Sequence, residues 1–290
     1  MKLKQIITLA NEPVRLLFLA MERSLRATGC RLPLKVIPYD DRRFELPENA
    51  EWWEEPDFMN WIQRESRVNV HRKYQSLLAE NYQFVDSDVI FLENPAERLE
   101  SLDGFVQSCC HWHNPGHTVT GELVKILRNK TTTWQRSVFN CGQFACDRPV
   151  MHLEEMKRFC EDPCHRPIAL DFLVDQPGFN LMVLLSDIKL TNLTLPPHNM
   201  ESTWAGDYHN DDFGRYWKDP MRKPYLLHWA GKKMRREDPI SKFFFDFLSS
   251  DEIREFEQHQ AVSEKRKKSI QGLLNRLRVF KAACKASMSQ

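Results

Sequence analysis

The chain has 290 residues, 42% hydrophobic and 28% charged, with 41 basic against 40 acidic side chains. That balance is globular, with enough apolar material for a substantial core in one large domain or two small ones. Near-neutral charge excludes a global field that would draw nucleic acid. The ten glycines include no G-x-G pair and none ahead of Lys-Ser or Lys-Thr, which excludes the dinucleotide fingerprint and the P-loop together.

In chain order, Gln5–Ala10 (QIITLA) reads as a first strand, followed by a loop through Asn11 and Pro13. Residues 14–28 repeat apolar side chains at helical spacing (Leu17, Ala20, Met21, Leu25) and end at Gly29, a C-cap. Leu34–Pro38 reads as a second strand, so strand, helix and strand form a parallel pair joined by a crossover. Residues 42–66 are acidic and Trp-rich without clear period. A helix is expected over 70–81, then a single central strand over 83–92 (QFVDSDVIFL), apolar on both sides of a paired acid. Pro95 opens another helix, 137–140 and 187–190 are strand candidates, and 168–174 is a helix candidate. The Pro-, Asp- and Trp-rich stretch 195–225 reads as a functional loop region.

The expected organisation is a body over 1–250 and a basic tail over 251–290. The tail holds nine basic against five acidic side chains and places Ile270, Leu273, Leu274, Leu277 and Phe280 at helical spacing. This is a basic amphipathic helix, suited either to packing on the body or to reversible contact with an anionic membrane. The apolar stretch 16–21 is too short for an export signal or a membrane span. Eight irregularly spaced cysteines without an export signal suggest reduced thiols and a cytoplasmic location, at most peripheral to the inner face of a membrane.

The most informative triplet is Asp86-Ser87-Asp88. Two carboxylates one small residue apart at the end of an apolar run can present oxygens to a hard divalent cation. Burial of such a pair is costly unless a cation or donors compensate; the plainer reading is a strand-end acid pair that caps a helix or faces solvent. Three further pieces follow: Asn140-Cys141-Gly142, whose glycine permits close approach to a ligand; Asp175-Gln176 ahead of Asn180; and His228 with Gly231, Lys232 and Lys233. Read singly, these are more simply a turn glycine, a helix cap and a core histidine with solvated lysines.

In this order, D-x-D, N-x-G, D-Q-x-x-φ-N and H-x-x-G-x-K resemble the nucleotide-sugar transferases of the GT-A fold, particularly glycosyltransferase family 8, over roughly residues 5–235. The resemblance implies an α/β GT-A-like fold, a Rossmann-like mixed sheet flanked by helices, with a C-terminal helical extension. It implies transfer of a sugar from a UDP-sugar to a glycan, lipid-linked or protein acceptor, with retained anomeric configuration. Asp86, Asp88 and His228 would then bind Mn²⁺ or Mg²⁺. Ala10, Asn11 and Asp40 would meet the nucleotide, with Ser87 beside it in the acid motif. Arg72 or Lys73 would reach the phosphates or donor sugar, and Asn140 and Gly142 would line that sugar. Asp175 would hold its hydroxyls, Gln176 would sit near the anomeric carbon, and Gly231 and Lys232 would meet the diphosphate. The family often continues H-x-x-G-x-x-K-P-W, whereas Lys232 and Lys233 come earlier here and Met234-Arg235 replaces Pro-Trp; which lysine meets the diphosphate stays open.

Three other readings compete. Cys109, Cys110, His111, His113 and His117, with Cys160, Cys164 and His165, suggest zinc, although their spacing matches no ribbon or finger. Asp86 could instead be the nucleophile of a D-x-D phosphohydrolase, whose acid pair would belong on the first strand. The chain could also be an inactive nucleotide-sugar-binding scaffold that docks a partner through its tail.

Overall fold

The computed structural model describes residues 1–208 and 211–265. The chain falls into two compact units, Met1–Phe247 and Leu248–Gln290. In the second, residues 250–265 are helical, and the apolar positions expected at 270–280 lie outside the described residues. Among the described residues no helix is long and apolar enough to cross a membrane.

The first unit is built on a mixed seven-stranded sheet. Its strands are β1 (Gln5–Ala10), β2 (Leu34–Pro38), β3 (Ala50–Trp52), β4 (Tyr82–Val85), β6 (Phe105–Gln107), β7 (Gln143–Cys146) and β8 (Leu190–Asn192), in the order β3-β2-β1-β4-β7-β6-β8. A separate antiparallel pair joins β5 (Val89–Phe91) to β9 (Leu226–His228). The helices are α1 (Arg15–Ala27), α2 (Pro56–Glu65), α3 (Pro95–Arg98), α4 (Gly121–Lys130), α5 (Leu153–Glu161), α6 (Arg166–Ala169), α7 (Gln176–Leu185) and α8 (Lys242–Phe245).

The opening unit follows its sequence pattern. β1 and β2 pair in parallel, Ile6 opposite Leu34 through Ala10 opposite Pro38, with α1 as the connection. The helix ends where Gly29 adopts φ +85°, a conformation that costs a side-chain-bearing residue about 1–2 kcal/mol. Its buried face is Leu16, Phe18, Ala20, Met21 and Leu25, while Leu17 is only half-buried.

Side chains alternate across the sheet and so feed two cores. Ile6, Val36, Val85, Val106 and Ala145 face α1, through Phe18 and Met21, and Leu226 of the small pair. Ile7, Ile37, Phe84, Phe105 and Phe144 face the other layer, which includes Phe58 of α2, Leu127 of α4 and Phe179 of α7. Phe144 anchors that second core. Its ring lies 5.2 Å from Phe84, 5.0 Å from Phe105 and 5.4 Å from Phe179, distances at which aromatic pairs add to simple burial.

Several sequence expectations need correction. The apolar run 83–92 is two strands in two sheets, β4 and β5, with Asp86-Ser87-Asp88 as the turn between them. Burial on both sides of an acid pair looks like one central strand, but the acids interrupt the ladder instead of joining it. The helix expected over 70–81 is a 3₁₀ segment, Asn69–Leu78. The strand expected at 137–140 lies at β7, and the one at 187–190 lies at β8. The helix expected over 168–174 stops at Ala169, and Phe172, Leu173 and Val174 are exposed; the regular helix there is α7. The Trp-rich stretch 42–66 contains β3 and α2.

Gly104 ties β6 to the segment before β8. It holds φ +73°, and a Cβ there would lie 2.4 Å from the carbonyl oxygen of Lys189. The Gly104→Ala variant is expected to lose about 2 kcal/mol of stability, from backbone strain plus overlap with a backbone atom. Urea unfolding measures this, and an unchanged midpoint would contradict the fitted approach of β6 and β8.

Candidate active site

The acid motif is held from two directions. The Asp86 N–H donates to the Gly142 carbonyl at 2.7 Å, fixing it to the start of β7. The Asp88 carbonyl accepts from the Trp229 N–H at 3.1 Å, fixing it to the end of β9. Val89 pairs directly with His228 across the small sheet. The imidazole therefore arrives beside the carboxylates, with Nε2 3.2 Å from Asp88 Oδ1 and 3.8 Å from Asp86 Oδ2.

Ligand atoms of Asp86, Asp88 and His228 all lie within 4.8 Å of one another, the one such group of three among the described residues. Two carboxylates and an imidazole suit a divalent cation of the Mn²⁺ or Mg²⁺ kind. Gly142 supplies a second fit criterion. A Cβ there would meet His228 Cε1 at 2.2 Å and Asp86 Oδ2 at 2.6 Å, so only glycine leaves the ligand atoms room. Asn140 Oδ1 accepts from the Gly142 N–H at 2.7 Å and holds that turn in place.

Behind the cluster lies Lys73, 3% exposed in its side chain. Its ammonium sits 2.8 Å from Asp86 Oδ1 and 2.9 Å from Asp175 Oδ2, and 5.0 Å from the Phe84 ring centre. Burial works against the charged lysine, but Asp175 and Asp86 outweigh it and hold its pKa well above the ordinary value. Asp175 is desolvated too, yet the Lys73 charge and hydrogen bond bring its carboxyl below the usual range. Asp86 is pushed up, by burial first and by the neighbouring Asp88. Asp88 is held down against burial by His228, and His228 is raised against burial by Asp88. Thus the two acids of one motif are driven apart, one by crowding and one by the imidazole.

Asp175 precedes α7 at its N-terminus, but its carboxylate does not cap the helix; it takes Lys73 and the Cys141 thiol at 3.2 Å. Gln176 follows, half-buried, donating from Nε2 to the His117 carbonyl at 3.0 Å. Asn180 bridges α7 to the Phe139 backbone, donating to its carbonyl at 2.9 Å and accepting from its N–H at 3.0 Å. This is how the asparagine of D-Q-x-x-φ-N carries N-x-G into place.

A second group forms at the ends of β1 and β2. Ala10 is buried, Asn11 Nδ2 donates to Asp40 Oδ2 at 2.8 Å, and Arg72 Nη1 donates to the Pro38 carbonyl at 3.1 Å. Arg72 Nε is buried with no hydrogen-bond partner among the described residues. Burial would raise the Asp40 carboxyl, but Arg42 and Asn11 bring it below its ordinary value.

Other sequence candidates lie apart. Ser87 is buried in the turn between the two acids. Gly231 holds φ +70° just after β9. Lys232 ion-pairs with Asp238 at 3.3 Å, not with the acid cluster. The zinc candidates do not converge among the described residues: Cys109 and Cys160 are buried separately, and Cys164 is exposed. Cys141 was not singled out by its residue type; its position inside N-x-G was the only signal.

No family profile matches the sequence, and no curated protein matches it. Solved structures do. A galactosyltransferase, LgtC, in complex with donor and acceptor sugar analogues superposes with a TM-score of 0.51 at 12% identity, covering 85% of this chain and 98% of that one. The bifunctional glycosyltransferase WbbM superposes with a TM-score of 0.55 at 13% identity, covering 86% of this chain and 50% of that one. The chain has the GT-A fold. At such identities the likeness concerns the backbone, while the site rests on the side chains described above.

Replacing Lys73 by Met removes the one cation between two carboxylates. The variant is expected to lose about 3 kcal/mol, because Asp175 and Asp86 are left without their partner. Chemical denaturation measures it; a loss below about 1 kcal/mol would mean that solvent reaches those acids freely.

Proposed function

We propose that this protein is a metal-dependent glycosyltransferase that takes a sugar from a UDP-sugar. The observation that carries the reading is the convergence of Asp86, Asp88 and His228 around the space that Gly142 leaves open. The GT-A fold is consistent with it, since both neighbours named above are glycosyltransferases.

In this reading Asp86, Asp88 and His228 hold Mn²⁺ or Mg²⁺. When bound, such a cation would offset the negative charge that collects on the departing diphosphate. Asn11 and Asp40 at the ends of β1 and β2 contact the nucleoside, and the spare Arg72 Nε faces the phosphates or donor sugar. Lys73 keeps Asp175 ionised as an acceptor for sugar hydroxyls, and Asn140 and Gly142 border the same sugar. Gln176 sits beside Asp175. A glutamine is a poor nucleophile, so same-face displacement with retained configuration fits better than a covalent intermediate. Lys232 meets the diphosphate only if it leaves Asp238, and Gly231 is the turn that would let it do so. The acceptor on this reading is a glycan, a lipid-linked molecule or a protein. Docking of the basic tail on an anionic membrane would bring the second of these within reach.

Calorimetry with UDP, with and without Mn²⁺, tests the proposal, followed by hydrolysis of UDP-glucose, UDP-galactose and UDP-N-acetylglucosamine. UDP is expected to bind only with metal, and at least one donor to be hydrolysed. Absence of metal-dependent UDP binding would sink the assignment. Asp88→Asn should weaken that binding by at least the roughly 10–100-fold that loss of a mere hydrogen-bond partner to a metal ligand costs, while the far-ultraviolet circular dichroism stays unchanged. Gly142→Ala should do the same by crowding His228 and Asp86, and wild-type affinity in that variant would show that the space is not the cation's.

A further inference from the structure

Next to the acid cluster lies a cavity of about 460 Å³, within the roughly 300–1,000 Å³ of small-molecule sites. Cys110, His111, His113, Asn114, His117, Trp204 and Asp207 wall it. Both ends are tied to the site already described. Trp204 bridges to the backbone of His228, and the His117 carbonyl accepts from Gln176 Nε2 at 3.0 Å. The cavity therefore opens between a proposed metal ligand and the residue proposed to lie near the anomeric carbon.

Trp204 is the unusual wall. It is 41% exposed, yet its ring is fixed: Nε1 donates to the Ala230 carbonyl at 3.0 Å. Its six-membered ring rests on Gly206, where a Cβ would lie 2.3–2.5 Å from three ring atoms. Glycine at 206 is thus what lets the indole lie down. A large aromatic surface held open to solvent, with imidazole, amide and carboxylate groups around it, matches a ligand with an apolar face and a hydroxyl rim. A pyranose has that form: its axial C–H bonds make one face apolar, and its hydroxyls point outward to donors and acceptors. A purely apolar guest would cover Asp207, His111 and His113 without offering them partners, whereas Asn114 Nδ2 and His117 Nε2 already lie 3.2 Å apart. A neighbouring cavity of about 370 Å³ shares Cys110, His113 and Asp207 and adds Glu201 and Arg222, polar walls for a second sugar unit.

We propose that this cavity binds a saccharide, stacked on Trp204, and that this saccharide is the acceptor of the transfer. The second half of the statement rests on the glycosyltransferase reading; the first does not. The acceptor is accordingly a sugar chain of at least two units, with the terminal one on the indole.

Saturation-transfer NMR with maltose, cellobiose and lactose at millimolar concentration, run with UDP and Mn²⁺ present and absent, tests it. At least one disaccharide is expected to bind. Trp204→Ala should weaken it about tenfold, and Trp204→Tyr, which keeps an aromatic face, should recover most of the loss. If Trp204→Ala loses its cooperative thermal unfolding, Asn114→Ala at the exposed rim replaces it, with a smaller loss expected. No binding of any of the three sugars, or unchanged affinity in the variants, would overturn the proposal. So would a loss confined to UDP, which would make the indole a nucleobase platform. Disaccharide binding without metal-dependent UDP binding would keep the saccharide site and overturn the transferase reading and the acceptor role with it. UDP binding without a disaccharide would do the reverse.

Discussion

The ammonium of Lys73 is the one charge on which the site's architecture depends. It lies almost wholly out of solvent between Asp86 and Asp175, and those two residues come from different parts of the fold. Asp86 follows β4, Asp175 precedes α7, and Lys73 sits in the 3₁₀ segment that packs against both. Taking Lys73 and Asp175 out of water beside a half-buried Asp86 is expensive unless the three neutralise one another with good geometry. Here two short ion pairs, a thiol donor and two aromatic rings meet that requirement. With both carboxylates ionised the trio carries one net negative charge, on the solvent side at Asp86, whose side chain is 31% exposed. A positively charged guest at Asp86, Asp88 and His228 would complete the electrostatics of the core as well as any chemistry.

How far this was legible in the sequence depended on the range of the interaction. The first strand, helix and second strand could be read because their signals are local: QIITLA, an apolar face at helical spacing, and Gly29 where positive φ is needed. The run 83–92 misled because burial alone does not distinguish one strand in one sheet from two strands in two. What divides it is the pairing of Val89 with His228, a partner 139 positions away. β6, β7 and α7 went unplaced or misplaced for the same reason. Their edges are set by Phe144 and its aromatic neighbours, which periodicity in a short window cannot reveal.

The grouping of the candidate site's side chains was legible from motif order, which says nothing of their roles. Asp86, Asp88, Asn140, Gly142, Asp175, Gln176 and His228 were named from type and order, and they come together in space. Lys232 was named on the same grounds and is found with Asp238 instead, because a long flexible side chain can satisfy its charge with whichever acid lies nearest. Trp204 carried no motif. It sits in a stretch without period, and its use depends on a glycine two residues on and a carbonyl 26 residues on.

The turn at Asp86-Ser87-Asp88 is also a seam. Asp86 is bonded to the large sheet through Gly142, whereas Asp88 and His228 are both bonded into the small one. The gap between the acids is therefore a gauge of how the two sheets are set. Sliding the small pair by a fraction of an ångström would carry Asp88 and His228 together and leave Asp86 behind. Residues that seat the small sheet, such as Tyr225 with its hydroxyl on Gln83 at 2.9 Å, thereby adjust the bite of a three-pronged clasp they never touch.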